Sequence, residues 1–323
     1  MKFIKIIIPF SILLGLLSAC TLWLPNQNIA EMRPYSPVKI SLNKQLQLSL
    51  PTLTEGLPRA GIKVSVTAPE YQGTQVYHTL YLPDDWSAEK VKQGQTWPVM
   101  FEYTGNKYAK SGSTGEVKDA AFGYGLTAGK YIWVSLPYIS ANKSENQLTW
   151  WGDKEATVNY AKANVPRVLQ SFGGEPSAVF LCGFSRGAIA VNYLGLHDDE
   201  IAQLWSGFIV HDHFDGEQEW KGTSWGSPFA TYQKAAAERL KRVNGRPYLI
   251  TSVPSHSQST KTFIQQYMAK TENFTYLDVN TRKIFGTFPN GITKGGHTDK
   301  WPLVPSEYRI QAWQWLNKNV ASK

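Results

Sequence analysis

A serine between closely spaced glycines is the residue in this chain best placed to do covalent chemistry. The pentapeptide 183–187 reads Gly-Phe-Ser-Arg-Gly, a G-x-S-x-G pattern with Ser185 at its centre. An apolar, β-rich run over 178–182 precedes it, and a run over 187–194 that is typical of a helix follows. A sharp strand-to-helix turn would leave the serine hydroxyl near a helix N-terminus, where amide N–H groups favour developing negative charge. The pattern therefore predicts Ser185 as a nucleophile.

This turn is the nucleophile elbow, and at this point the chain resembles the α/β-hydrolase superfamily. The resemblance implies that a histidine takes the serine proton and that an acid orients the histidine, in the chain order Ser…Asp…His. His297 lies in a glycine-containing loop over 294–301 and is the only histidine past the last predicted strand. The resemblance therefore assigns His297 as the general base.

The acid is less clear from the sequence. The superfamily usually supplies it after the seventh strand, but the corresponding segment here, 252–259, has no Asp or Glu. Some members take the acid from the end of the sixth strand, where Asp212 and Asp215 stand in this chain. We prefer Asp215, in a loop beside Gly216, and keep Asp212 as the alternative.

An oxyanion hole needs two backbone N–H groups that converge on one oxygen. The resemblance implies that one belongs to Arg186, directly after the nucleophile. The other is expected after the strand at 97–103, where Gly105 would allow close backbone approach and Asn106 follows.

Aromatic and imidazole side chains after predicted strands are expected to border the same site. Trp151, His211 and His256 are the candidates for substrate contact. His211 and His213 are two residues apart and could suggest a metal site, but no third ligand is fixed, so no metal is predicted.

Alternating strands and helices must position these residues. We expect strands over 61–68, 74–82, 97–103, 130–136, 178–182, 204–210, 247–253 and 274–279, and helices over 154–172, 187–194, 231–244, 263–271 and 306–320. Strands separated by helices predict an α/β fold, with a mostly parallel central sheet flanked by helices on both faces. Two antiparallel strands at the front match the α/β-hydrolase order, so the resemblance covers about residues 60–320.

The N-terminus is typical of an export signal. A basic start over 1–5 is followed by an apolar stretch over 6–17, which is short for a membrane span. Residues 17–20, Leu-Ser-Ala-Cys, resemble the bacterial lipobox, which implies lipidation of Cys20. An ordinary cleaved signal and an uncleaved anchor are the alternatives, and in every case the body of the protein is exported. With lipidation at Cys20, we expect it in the cell envelope, anchored to a bacterial membrane.

These features divide the chain into three parts. Residues 1–19 are predicted to be a lipoprotein signal peptide, 20–59 a polar tether and N-terminal extension, and 60–323 the α/β-hydrolase domain. The chain has two cysteines, so a disulfide scaffold is excluded, and Cys182 is expected to be a buried thiol. Its net charge of +8 is spread without a Lys/Arg block, which does not favour nucleic-acid binding.

The resulting hypothesis is a membrane-anchored serine hydrolase that cleaves carboxylic esters through an acyl-enzyme on Ser185. It needs no cofactor, and its substrate is expected to be a small molecule or an ester-decorated carbohydrate. Two alternatives remain. One is a non-catalytic sugar- or lipid-binding lipoprotein on the same fold, which the lack of an acid after the seventh strand would favour. The other is an acyltransferase that uses the same residues.

Overall fold

A computed structural model describes residues 37–254, 256–288, 292 and 296–320 of the chain. The predicted signal peptide, Cys20 and the first part of the predicted tether lie outside the described residues. Within these ranges, no helix is both long and apolar enough to cross a membrane.

The described residues form one nine-stranded sheet. Its strands are β1 (Leu53–Thr54), β2 (Lys63–Val66), β3 (His78–Tyr81), β4 (Trp97–Tyr103), β5 (Ile132–Leu136), β6 (Gly174–Phe184), β7 (Gly207–His211), β8 (Tyr248–Ser252) and β9 (Phe274–Asp278). Their order across the sheet is β1-β2-β3-β5-β4-β6-β7-β8-β9. Only β3 runs antiparallel to its neighbours, β2 and β5, and every other pair is parallel.

Helices cover both faces of the sheet. They are α1 (Ala88–Lys92), α2 (Phe122–Thr127), α3 (Lys154–Phe172), α4 (Arg186–Tyr193), α5 (Asp199–Ala202), α6 (Phe229–Lys241), α7 (Ser257–Tyr267), α8 (Thr281–Phe285) and α9 (Glu307–Val320). One hydrophobic cluster joins α3, α4 and α6 to one face, and another joins α2 and α9 to the other. Because both faces are covered, all seven residues of β4 are buried. The predicted α/β class is confirmed.

Long, strongly patterned elements were the easiest to predict. β4 and α3 have the predicted bounds, whereas α1, α2, α5 and α8 were not predicted. α2 contains Gly123 and Gly125, which disfavour a helix on propensity alone. A Cβ on Gly125 would lie 2.7 Å from Cβ of Pro302, and one on Gly123 would lie 2.7 Å from the Trp133 indole nitrogen. Close packing thus requires these glycines and overrides propensity.

The described part of the predicted tether and N-terminal extension, residues 37–59, packs against the rest of the described domain. The Ile40 side chain is 2% exposed, and its backbone N–H and C=O both bond to the Asn317 side-chain amide, at 2.7 and 2.8 Å. The Leu48 N–H donates to the Leu303 carbonyl, and Leu46 and Leu48 pack against the α2–α9 cluster. Leucines at alternate positions in an otherwise polar stretch indicate an extended segment with one buried face.

This packing makes Ile40 a stabilising residue. We expect Ile40→Ala to lower the free energy of unfolding by about 2–5 kcal/mol, because it leaves a cavity against α9. Leu42→Ala is the matched control: its side chain is 42% exposed, so a change within about 0.5 kcal/mol is expected. Urea unfolding of both variants measures the difference, and equal values would contradict a docked segment.

Candidate active site

Ser185 occupies the strained turn between β6 and α4. Its backbone has φ 55° and ψ −117°, and its N–H donates to the His211 carbonyl at 3.0 Å. A Cβ on Gly183 would lie 2.1 Å from the Gly187 carbonyl oxygen, and one on Gly187 would lie 1.8 Å from the Tyr103 carbonyl oxygen. Both flanking glycines are therefore required by close backbone approach, and the predicted elbow is present.

A continuous hydrogen-bonded path joins a serine, a histidine and an aspartate. His297 Nε2 lies 2.9 Å from Ser185 Oγ, and His297 Nδ1 lies 2.7 Å from Asp212 Oδ2. The other oxygen of Asp212 accepts the Val253 N–H at 2.7 Å. The Phe184 ring packs 4.6 Å from the His297 ring and so restricts its rotation.

The surroundings of these groups set their charge. Burial alone would raise the pKa of Asp212, but the imidazoles of His211, His256 and His297 outweigh burial and hold that pKa well below its usual range. Burial lowers the pKa of His297 even though Asp212 acts to raise it. Burial also lowers the pKa of His211 to about 4. At neutral pH the site therefore holds a carboxylate beside a neutral imidazole, which is the state a general base needs.

The sequence-based preference for Asp215 as the orienting acid is wrong, and the alternative, Asp212, occupies that position. Asp215 is fully buried and accepts two hydrogen bonds from Arg239 of α6, at 2.8 and 3.1 Å. Asp212 directly follows β7 at the sheet edge. Asp215 lies three residues further along the chain and contacts α6 instead. The decisive partner is an arginine 24 residues later in the chain.

The two segments predicted for the oxyanion hole lie beside the elbow. Arg186 is the first residue of α4, where backbone N–H groups have no acceptor within the helix. A Cβ on Gly105 would lie 2.9 Å from the Phe184 ring, so the turn at 104–106 packs directly against the elbow. Asn106 and Arg186 both line the cavity that contains Ser185.

The Arg186 side chain is buried and links neighbouring loops through hydrogen bonds. It is 1% exposed and donates to the carbonyl oxygens of Thr104, Gly105, Gly115, Gln147 and Trp150 and to the Thr104 hydroxyl. None of these acceptors is a carboxylate. The guanidinium lies 3.9 Å from the centre of the Tyr138 ring, and burial lowers its pKa to about 10. It thus remains a buried cation held by oxygen dipoles and one aromatic face.

An open cavity of about 670 Å³ surrounds the serine. Its lining consists of Asn106, Lys107, Tyr108, Thr149, Trp150, Ser185, Arg186, His213, Gln218, Trp220, Val253, His256 and His297.

Of the three predicted substrate-contact residues, only His256 lines this cavity. Trp151 is 4% exposed and His211 is fully buried, so both predictions are wrong. Trp150, next to Trp151, and His213, two residues after His211, line the cavity instead. The sequence did not indicate which member of either pair would be exposed to the cavity.

Two further predictions concern thiols and metals. Cys182 is a free, buried cysteine, as expected. Among the described residues, no group of three or more His, Cys, Asp or Glu side chains is placed to hold a metal ion.

The strand order and the elbow define an α/β-hydrolase fold. No protein-family model matches the chain, and no curated protein sequence does. Solved structures do align with it. A sugar hydrolase from Lactococcus lactis aligns over 79% of this chain and 97% of its own, with 13% identity and a TM-score of 0.49. A feruloyl esterase module from Clostridium thermocellum, complexed with sinapinate, aligns over 88% and 92%, with 12% identity and a TM-score of 0.46.

A third aligned structure is the AtxE2 isopeptidase, with 14% identity and a TM-score of 0.46. The alignment covers 81% of this chain but only 40% of the isopeptidase. Similarity at this level says nothing about activity or substrate.

The buried ion pair of Asp215 with Arg239 should contribute more to stability than an exposed pair of the same kind. Asp215→Asn leaves the Arg239 charge buried without its partner, and we expect a loss of about 3–5 kcal/mol in the free energy of unfolding. Asp199→Asn is the control, since Asp199 also pairs with an arginine, Arg242, but is 83% exposed. It should cost less than about 1 kcal/mol in the same denaturant measurement. A small effect at Asp215 would contradict its structural role.

Proposed function

We propose that this protein is a serine hydrolase that cleaves carboxylic esters through an acyl-enzyme on Ser185. The observation that carries the proposal is the hydrogen-bonded path from Ser185 Oγ through His297 to the buried Asp212. In this arrangement Ser185 is the nucleophile, His297 the general base and Asp212 the residue that orients it.

The reaction would proceed in two halves. Ser185 Oγ attacks the ester carbonyl carbon while its proton passes to His297 Nε2, and Asp212 stabilises the imidazolium that forms. Backbone N–H groups of Arg186 and of the 104–106 turn would hold the oxyanion of the tetrahedral intermediate. His297 then gives the proton to the leaving alcohol oxygen as the carbon–oxygen bond breaks. Water, activated by His297, attacks the acyl-enzyme and releases the acid.

The alternative of a non-catalytic binding protein rested on the missing acid after the seventh predicted strand, at 247–253, which is β8 of the structure. Asp212, from the end of β7, lies where that acid is needed, so this reason for the alternative is removed. An acyltransferase would use the same residues with another acceptor than water, and product analysis with an added alcohol distinguishes the two. Export and lipid anchoring at Cys20 remain part of the proposal on sequence grounds alone.

Substitutions at the three residues test the assignment. Ser185→Ala should abolish hydrolysis of p-nitrophenyl acetate and labelling by a fluorophosphonate. Asp212→Asn should lower kcat by up to about 10⁴-fold, because the amide favours the wrong tautomer of His297. Asp215→Asn is the control, and in conditions where it remains folded it should retain the activity.

Two outcomes would contradict the proposal. Wild-type protein that neither hydrolyses esters nor takes the label at Ser185 would refute the hydrolase assignment. A larger kcat loss in folded Asp215→Asn than in Asp212→Asn would refute the role of Asp212.

The pH dependence of activity should follow His297. Only the neutral imidazole accepts the serine proton, and burial lowers the pKa of His297 from its ordinary value of 6.5. We therefore expect kcat/KM to be retained down to a midpoint below pH 6.5 and to fall about tenfold per pH unit below it. Asp212 stays ionised through this range because its pKa is lower still. A pH–rate profile with its acid midpoint above 6.5 would contradict this environment for His297.

A further inference from the structure

Backbone strain is concentrated around the cavity. Six described non-glycine residues have positive φ: Ala128, Lys143, Trp150, Ser185, Asp212 and Asn244. Ala128 caps the end of α2, and Lys143 and Asn244 lie in exposed turns. The remaining three are the proposed nucleophile, its orienting acid and Trp150. Left-handed backbone at bulky residues persists only where the surroundings enforce it, and it is found mainly at functional sites.

Trp150 is held in this conformation by residues that belong to the site. Its N–H donates to Asn106 Oδ1 at 2.8 Å, and its carbonyl accepts the Arg186 guanidinium at 2.8 Å. Asn106 belongs to the predicted oxyanion turn, and Arg186 follows the nucleophile. The position of the Trp150 backbone is therefore tied on both sides to the groups that would hold the ester carbonyl.

The Trp150 ring forms a corner with Trp220. Their ring centres are 5.2 Å apart and their planes meet at 68°. His213 lies edge-on to Trp220 at 5.1 Å and 5.3 Å from the ring of His297, so aromatic side chains line the cavity without interruption from the general base to Trp150. Trp225 packs behind, with its ring centre 4.9 Å from that of Trp150.

We infer that the corner between Trp150 and Trp220, named here the indole corner, is a subsite for an aromatic ring on one side of the ester. Two rings at a steep angle each present a face, and a flat aromatic ring can stack on one face and direct its edge at the other. This inference rests on the proposed ester hydrolysis and names the substrate class for it.

The test compares kcat/KM for an aromatic ester with that for a saturated ester of the same shape. A loss of activity that affects both esters equally leaves this ratio unchanged. Phenyl acetate is paired with cyclohexyl acetate, and methyl benzoate with methyl cyclohexanecarboxylate, with kcat/KM measured for each. Trp150→Asn removes the indole but keeps a residue that tolerates the left-handed backbone. It should lower the aromatic-to-saturated ratio about 3- to 10-fold in at least one pair, and the affected pair tells whether the ring belongs to the acid or the alcohol. Trp150→Phe should retain most of the ratio, since an aromatic ring remains.

Trp86→Phe is the control, because Trp86 packs on Phe172 and does not line the cavity. It should leave both ratios unchanged. Ratios that are equal in wild type and Trp150→Asn would overturn the indole corner. So would a larger loss towards a sugar acetate, such as glucose pentaacetate, than towards either aromatic ester.

A second readout separates this inference from the proposed reaction. Fluorophosphonate labelling of Ser185 tests the reactivity of the serine with a probe that carries no aromatic ring. Unchanged ratios with normal labelling would overturn the subsite alone. If wild type neither labels nor turns over esters, binding of methyl benzoate and its saturated partner to Ser185→Ala by calorimetry decides the subsite independently. Tighter binding of the aromatic ester that Trp150→Asn abolishes would support it, and equal binding would overturn it.

Discussion

The parallel register between β6 and β7 is the constraint on which the site depends. Phe184 pairs with His211 at the carboxyl ends of these strands, so the next residue of each strand, Ser185 and Asp212, emerges at the same edge. The Ser185 N–H bond to the His211 carbonyl and the Asp212 N–H bond to the Thr251 carbonyl extend the ladder one step beyond the strands. A slip of one residue would reverse the sides on which these residues point. The loop that carries His297 then needs only to reach between two groups already in place.

Arg186 connects this edge of the sheet to the surrounding loops through hydrogen bonds. A buried guanidinium loses its hydrogen bonds to water, and this one has no carboxylate partner. It donates hydrogen bonds to five backbone carbonyl oxygens instead. Because those carbonyls belong to separate segments, their positions are linked to the residue that follows the nucleophile. The wall of the cavity and its reactive centre are therefore parts of one hydrogen-bonded unit.

Local pattern was sufficient to predict most elements and the elbow, and the resemblance to the α/β-hydrolases implied the pairing of Ser185 with His297. The choice between Asp212 and Asp215 was beyond it, because both follow the same strand and differ only in a partner on α6. The burial of Trp151 and His211 could not be predicted either, because small changes in backbone direction at a loop or strand end decide whether one of these residues or a near neighbour, Trp150 or His213, lines the cavity. The packed segment around Ile40 did carry a signal, its alternate leucines, which the polar composition obscured.

The two hydrogen bonds between Ile40 and Asn317 join segments near the beginning and the end of the described residues. Two positions that are 277 residues apart in the sequence are thus neighbours in space. Loosening either segment would remove the hydrogen-bond partner of the other. The same proximity would let a short peptide link the segments near Ile40 and Asn317, so that the described domain could be opened elsewhere in a circular permutant.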